Sequence, residues 1–451
     1  MELEFIKSAT VRVEEGETEV LCDPWLIDGA YYGSWGHYPP VDFDIEEYND
    51  VDYIYVSHIH PDHVHNKTFE RFNTDIPILI HDFQFDFLKN NLENMGFDVI
   101  ELKHNHRTHL GGALHINILA ADNCNPDACG SFFGCDWLDD STDGYGSSQI
   151  DTMAVFDNGD TSLVNINDCP YELSQSAARD VIDQYEDIDH LLLPYTGAGP
   201  YPQCFENLSI DEKRQEAKVK KQNYYKQAEN YINLFEPTYY TPFAGTYVLT
   251  GDLADLNEYR GVPTRSEAAE YLRKSSKVDS DEHECVLLNS QTTFNLETGI
   301  QTESFTPIDE DWLQKYISTE LCDREFPYES TEQPTVDELK QYIPNAYERM
   351  EETRQQVGFK SDMDVIIELV GDHCARISME GEGFEFVPQE IATQSEPYVK
   401  FSVDPRLLKQ LLQGPRYAHW NNAEIGSHIT YDRQPNRFER GLYYCMNFFH
   451  A

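Results

Sequence analysis

The feature that most restricts what this chain can become is Ser57-His58-Ile59-His60-Pro61-Asp62-His63, with three imidazoles and a carboxylate inside six residues. It follows Val51-Asp52-Tyr53-Ile54-Tyr55-Val56, a β-branched and aromatic run that predicts a buried strand delivering side chains from its end. Along an extended-then-turning segment, the alternate residues His58 and His60 point the same way and can share one ion. Asp62 and His63 turn toward a second. Two cations about 3.5–4 Å apart clamp an oxygen ligand between them if another carboxylate bridges the pair. Asp168 is the candidate bridge, because it ends the apolar run Leu163-Val164-Asn165-Ile166 and so also projects from a strand end. A His-rich turn can be a solvated loop, but the H-x-H-x-D-H spacing behind a buried strand is specific to metal binding. His65 reads as a bystander.

Composition narrows the partners. Across 451 residues, 33 Lys+Arg stand against 81 Asp+Glu, a net charge of −48, which argues against a nucleic-acid binder because phosphate contacts need clustered positive charge. Such acidity keeps a protein hydrated at high salt or gives a margin of solubility. With 40% hydrophobic and 13% aromatic residues the chain is globular. The acidic start Met1-Glu2-Leu3-Glu4 lacks a charged-then-apolar signal pattern, and no apolar run approaches about 18 residues, so the expectation is a cytoplasmic protein with no membrane partner. Ten cysteines are too sparse for a disulfide scaffold. Cys124, Cys129 and Cys135 could hold zinc or an iron–sulfur cluster, or be ordinary thiols in a lid-like insertion.

Along the chain, Leu3-Glu4-Phe5-Ile6 and Glu19-Val20-Leu21 around Glu14-Glu15-Gly16-Glu17 predict an opening hairpin. Met153-Ala154-Val155-Phe156 and Thr161 to Ile166 around Asn158-Gly159 predict a second. Leu191-Leu192-Leu193 reads as a short buried strand. The acidic, Pro-containing stretch 307–333 reads as an irregular linker between a catalytic domain, 1–306, and an α+β domain, 334–451. In the latter, 364–370 and 398–403 read as strands. A helix follows, with Asp404 as N-cap, Pro405 in its first turn, Leu407, Leu408, Leu411 and Leu412 on one face, and Gly414 as its stop. Tyr417, His419, Trp420, Asn421 and Asn422 form an aromatic-amide cluster that can face the cleft.

Six basic residues crowd positions 213–226 of an otherwise acidic chain. On a helix, Arg214, Lys218 and Lys221 form one stripe, suited either to an anionic substrate or to pairing with nearby Glu on a solvated face.

Asp23-Pro24-Trp25-Leu26, the His58 to His63 motif and Asp168 together resemble the metallo-β-lactamase superfamily. Asp151-Thr152, Asn167-Asp168-Cys169, Gly197-Ala198-Gly199 and Tyr240-Thr241-Pro242-Phe243-Ala244-Gly245-Thr246-Tyr247 further resemble the catalytic part of the CMP-N-acetylneuraminate hydroxylase family, over about residues 1–300. The resemblance implies an αββα sandwich of α/β class, a metal centre in the cleft at the ends of its sheets, and iron-dependent hydroxylation of a sugar nucleotide. Where the superfamily places a third His, this chain has Asp122, Cys124, Asp143 and Asp151; Asp122 or Asp151 can serve, and an oxygen donor there favours iron over zinc. Asp252 is the substitute for a late His ligand. The family's Rieske domain needs one C-x-H and one C-x-x-H pair, and neither occurs here, so electrons would come from a separate Rieske protein or ferredoxin. The C-terminal unit resembles the sterol-carrier-like domain of some alkyl-sulfatases, which implies an apolar pocket or a homodimer contact.

Three functions remain. One is an oxygenase with two irons, or a mononuclear site, held by His58, His60, Asp62, His63 and Asp168. Another is a zinc or manganese hydrolase of esters, phosphodiesters or sulfate esters, in which Asp62 or a cleft Tyr manages protons. The last is a non-catalytic scaffold.

Overall fold

The computed structural model of the chain describes residues 1–121 and 151–451. Two sheets face each other. The first has eight strands and includes Thr18–Cys22, Tyr53–Tyr55, Ile78–His81 and Val99–Leu102 in parallel. The second has seven and includes Leu114–Ala120, Thr152–Asp157, Ser162–Asn165, His190–Pro194 and Tyr239–Phe243.

Strand alternation sorts the side chains into layers. Ile54, Ile78 and Ile80 pack with Phe69, Leu88 and Leu92 from the helices Asn66–Phe69 and Phe87–Asn94. Their neighbours Tyr55 and Leu79 point the other way, onto Ala154, Phe156 and Leu192 of the second sheet. Leu191 and Leu193 turn outward to the helices Tyr171–Gln184, Ile210–Phe235 and Arg265–Lys274. The result is the expected α-sheet-sheet-α sandwich.

Two segments differ from the sequence reading. The opening is a three-strand meander, because Thr10–Glu15 pairs between Glu2–Lys7 and Thr18–Cys22. The stretch 307–333 is largely helical: Asp309 accepts from Trp312 N at 3.0 Å to cap Glu310–Tyr316, the helix continues through Ile317–Leu321, and Tyr316, Ile317 and Leu321 bury against Tyr38, Val248 and Ala254. Its acidic residues occupy the solvent side of a buried stripe.

The C-terminal unit is α+β, with a five-stranded sheet running from Asp364–Glu368 to Thr430–Gln434. Its Leu-rich helix, Pro405–Gln413, forms as expected: Asp404 accepts from Arg406 N at 2.8 Å, all four leucines are fully buried, and Gly414 ends it at φ +104°. The core of this unit takes in Cys204, Phe205, Phe326 and Tyr328 from outside it. Tyr431 N donates to Cys204 O at 2.8 Å, and Glu206 N donates to Tyr431 O at 2.7 Å. The described cysteines are all free thiols, and no helix among the described residues is long and apolar enough to cross a membrane.

Candidate metal centre

Parallel register sets the floor of the site. Cys22 pairs with Tyr55, so the chain leaves both strands at the same level and puts Asp23 beside Ser57. Asp23, at φ +45°, accepts from Ser57 N at 2.7 Å through Oδ1, and from Ser57 Oγ at 2.8 Å through Oδ2. The same Oδ2 lies 3.1 Å from His63 Nδ1. One helical turn, in which His63 N and Val64 N both donate to His60 O at 2.9 Å, swings Asp62 and His63 away from His58 and His60. The second sheet closes in from above, where Thr152 Oγ1 donates to Ser57 O at 2.8 Å and also meets Tyr55 OH.

The expected donors meet at this edge. His58 Nε2 lies 2.9 Å from His60 Nδ1, 3.8 Å from Asp151 Oδ1 and 4.0 Å from Asp168 Oδ2. His63 Nε2 lies 3.5 Å from Asp168 Oδ2 and 3.6 Å from Asp62 Oδ2. His58, His60 and Asp151 form one group with ligand atoms within 4.8 Å of one another; His58, His63 and Asp168 form the other. Asp168 thus belongs to the second group and lies 4.0 Å from His58, the histidine common to both. His58 and His63 are fully buried, Asp62 nearly so, and Asp168 stands 41% exposed at the mouth.

The residues fit a cation. His63 Nε2 is buried and makes no hydrogen bond, although two carboxylate oxygens face it at 3.5 and 3.6 Å. Those separations are too long for hydrogen bonds. They match two donors each about 2.0–2.2 Å from one ion, which sit roughly 3–3.5 Å apart. Charge points the same way. Burial opposes protonation of His63, but Asp62, Asp23 and Asp168 outweigh it and hold its pKa well above the ordinary imidazole value. Burial, with His63 and His60 nearby, pushes His58 down, which keeps its lone pair free. Burial raises Asp62, and Tyr31 OH donates to its Oδ1 at 2.6 Å.

Other expected residues lie elsewhere. Arg214 pairs with Glu258 at 2.8 Å and Lys221 with Glu267 at 2.9 Å, while Lys218 is exposed: the solvated-face alternative. Two other lysines of that helix face inward, with Lys213 Nζ donating to Gln203 O at 2.9 Å and Lys220 Nζ to Tyr201 O at 2.8 Å; burial pulls Lys220 down to about 8. Asp252 is exposed and belongs to neither donor group. His65 bonds Thr68 Oγ1, outside the cluster. Asp122, Cys124, Cys129, Cys135 and Asp143 lie outside the described residues.

The site also contains residues to which the sequence assigned no particular role there. Asp23 anchors the loop and Tyr31 supports Asp62. From the C-terminal unit, Asn421 Oδ1 lies 3.1 Å from His60 Nε2, the one member of the aromatic-amide cluster with a side-chain bond to a donor histidine among the described residues.

Residues 2–206 match the beta-lactamase superfamily domain, and this part of the chain is a metallo-β-lactamase-fold domain. A Mycolicibacterium smegmatis protein named as a Rieske 2Fe-2S iron-sulfur protein is 28% identical over 269 residues, 58% of this chain and 47% of its own. The cytidine monophosphate-N-acetylneuraminic acid hydroxylase of Asterias rubens is 26% identical over 263 residues, 55% of this chain and 35% of its own. The chain thus spans about half or less of the length of these relatives. Among solved structures, the isothiocyanate hydrolase from Delia radicum gut bacteria aligns with a TM-score of 0.45 at 14% identity, covering 65% of this chain and 99% of that one. CmlA, a diiron β-hydroxylase from Streptomyces venezuelae, aligns at 0.42 and 15%, covering 65% and 53%.

Proposed function

We propose that the chain is an iron-dependent hydroxylase or oxygenase acting on a sugar nucleotide or another anionic small molecule, with His58, His60, Asp151, Asp62, His63 and Asp168 holding two ions. The donor set carries this reading: three carboxylates accompany three imidazoles around one edge, and oxygen donors move the preference from zinc toward iron. The likeness to proteins named for a Rieske group and for sialic-acid hydroxylation supports it. A Rieske or ferredoxin-type group is then the electron donor.

Bound iron would supply oxygen activation, whereas zinc or manganese in the same place would acidify a water for hydrolysis. The chain's own side chains do the rest. His58, kept neutral by burial, presents a lone pair, and Asp23 holds His63 by Nδ1 so that Nε2 faces the cluster. Asp62 is the proton-handling group, with the Tyr31 phenol, itself kept protonated by burial and the adjacent carboxylate, donating to it. Asp168 stands at the mouth, where a substrate arrives. Arg214 and Lys221 are not assigned to the substrate, because each already pairs with a glutamate.

Metal analysis of the purified chain tests the reading. About two irons with a visible-region absorption band supports it; zinc or manganese moves the assignment to a hydrolase. The double change His58→Ala, His60→Ala is expected to remove most of the metal and leave the circular dichroism spectrum intact. Full loading of that variant sinks both enzymatic readings.

A further inference from the structure

The C-terminal unit reaches into both halves of the cluster. Asn421 Oδ1 faces His60 Nε2 at 3.1 Å, and a carboxamide oxygen can only accept, so the ring hydrogen sits on Nε2. That leaves Nδ1, 2.9 Å from His58 Nε2, as the nitrogen with a lone pair turned to the cluster. Asn421 is itself held. Its N–H donates to Nδ1 of His419 at 3.2 Å, and the adjoining Trp420 is buried, with Nε1 donating to Phe449 O at 2.8 Å.

A second tie runs to the other half. His428 Nε2 donates to Tyr31 O at 2.8 Å, and Tyr31 OH donates to Asp62. Tyr31 and Tyr32 both sit in the left-handed region, at φ +49° and +57°, a costly pair for bulky residues that persists only where surrounding structure imposes it. His419 N donates to Tyr32 OH at 2.8 Å and completes the clamp. Gly426 belongs to it as well, since a Cβ there would meet Tyr31 Cβ at 2.9 Å.

We propose that Asn421 is a positioning residue of the metal centre: it fixes the tautomer and orientation of His60, so the C-terminal unit is part of the centre's outer shell. This rests on the metal-binding reading above.

The test is anaerobic titration of the full chain with Fe2+ against a competing chelator, comparing the unsubstituted protein with Asn421→Leu, Asn421→Asp and His58→Ala. Asn421→Leu keeps the volume but removes the acceptor, and is expected to weaken Fe2+ binding about 10–100-fold with an unchanged circular dichroism spectrum. Asn421→Asp keeps an acceptor oxygen and is expected to restore most of that loss. Should the leucine variant not fold, Asn421→Ala replaces it with the same expected loss. Wild-type affinity in Asn421→Leu, alongside a loss in His58→Ala, overturns the role of Asn421 while leaving the metal centre standing. An aspartate variant as weak as the leucine one reduces Asn421 to packing and also overturns it. If His58→Ala keeps wild-type affinity, the metal-binding reading falls, and this inference with it.

Discussion

Replacing Asp23 by asparagine is expected to destabilise the metal-free protein by roughly 3–5 kcal/mol, the range for breaking one partner out of a buried charged pair. The structure sets the terms. Oδ1 can still accept from Ser57 N, whereas Oδ2 accepts from Ser57 Oγ at 2.8 Å and faces His63 Nδ1 at 3.1 Å. Hydrogen bonds to a charged group are worth about 1.5–3 kcal/mol each; an amide nitrogen in that place can still be met by Ser57 Oγ turning to accept, but it faces the protonated His63 Nδ1–H donor to donor. Asparagine tolerates the left-handed backbone as aspartate does, so no new strain confuses the result. The pH dependence has a definite sign. His63 is held protonated above its ordinary value of about 6.5, so its contribution to stability is fully present below that pH and is lost as pH rises through the raised folded-state value. Asp23 is one of the carboxylates that raise it, and the penalty of Asp23→Asn is therefore larger at pH 6 than at pH 9. Urea unfolding of both proteins at the two pH values, stripped of metal, measures this. A difference under about 1 kcal/mol at pH 6, or one equal at both pH values, would refute the coupling.

Two further outcomes follow from positions away from the cluster. Gly251 has φ +58°, and a Cβ there would lie 2.6 Å from Phe326 Cζ and 2.7 Å from Arg324 O, so Gly251→Ala is expected to cost roughly 2–4 kcal/mol in thermal unfolding. A near-neutral result would mean that residues 324–326 do not pack there. Arg214→Gln and Lys221→Gln remove solvated ion pairs and are expected to leave the unfolding midpoint and Fe2+ affinity unmoved; a several-fold rise in KM for either would restore that helix face to substrate recognition.

The donor histidines were legible because one short segment carries both the strand and its ligands. Asp168 was legible because an apolar run ending in a carboxylate delivers that group to the same edge. Asp151 was one of several acidic candidates for the third-motif position, and spacing alone did not single it out. The supporting residues were not legible as such. Asn421 meets His60 across 361 positions, and Tyr31 meets Asp62 from a backbone conformation that its own side chain disfavours. No local pattern encodes which distant polar group will close a hydrogen bond. The strand Thr10–Glu15 alternates visibly, but the turn before it has no Gly, Asn or Pro: Ser8 takes the left-handed position at φ +50°. The helix at 310–316 was hidden because a run of acidic residues reads as a solvated tether until its buried stripe finds Tyr38 and Val248.

The seam at Cys204, Phe205 and Glu206 has an evolutionary consequence. Phe205 stacks on Tyr431 with ring centres 5.0 Å apart, and Arg433 lies 4.7 Å above the same ring, so this short loop is a sixth, fragmentary rung of the neighbouring sheet. A recombination event that traded the final unit for another would leave that phenylalanine facing water and strip His60 of its carboxamide neighbour in one stroke. Exchanging the final unit as a cassette therefore carries a cost at this seam, which the new partner has to make good.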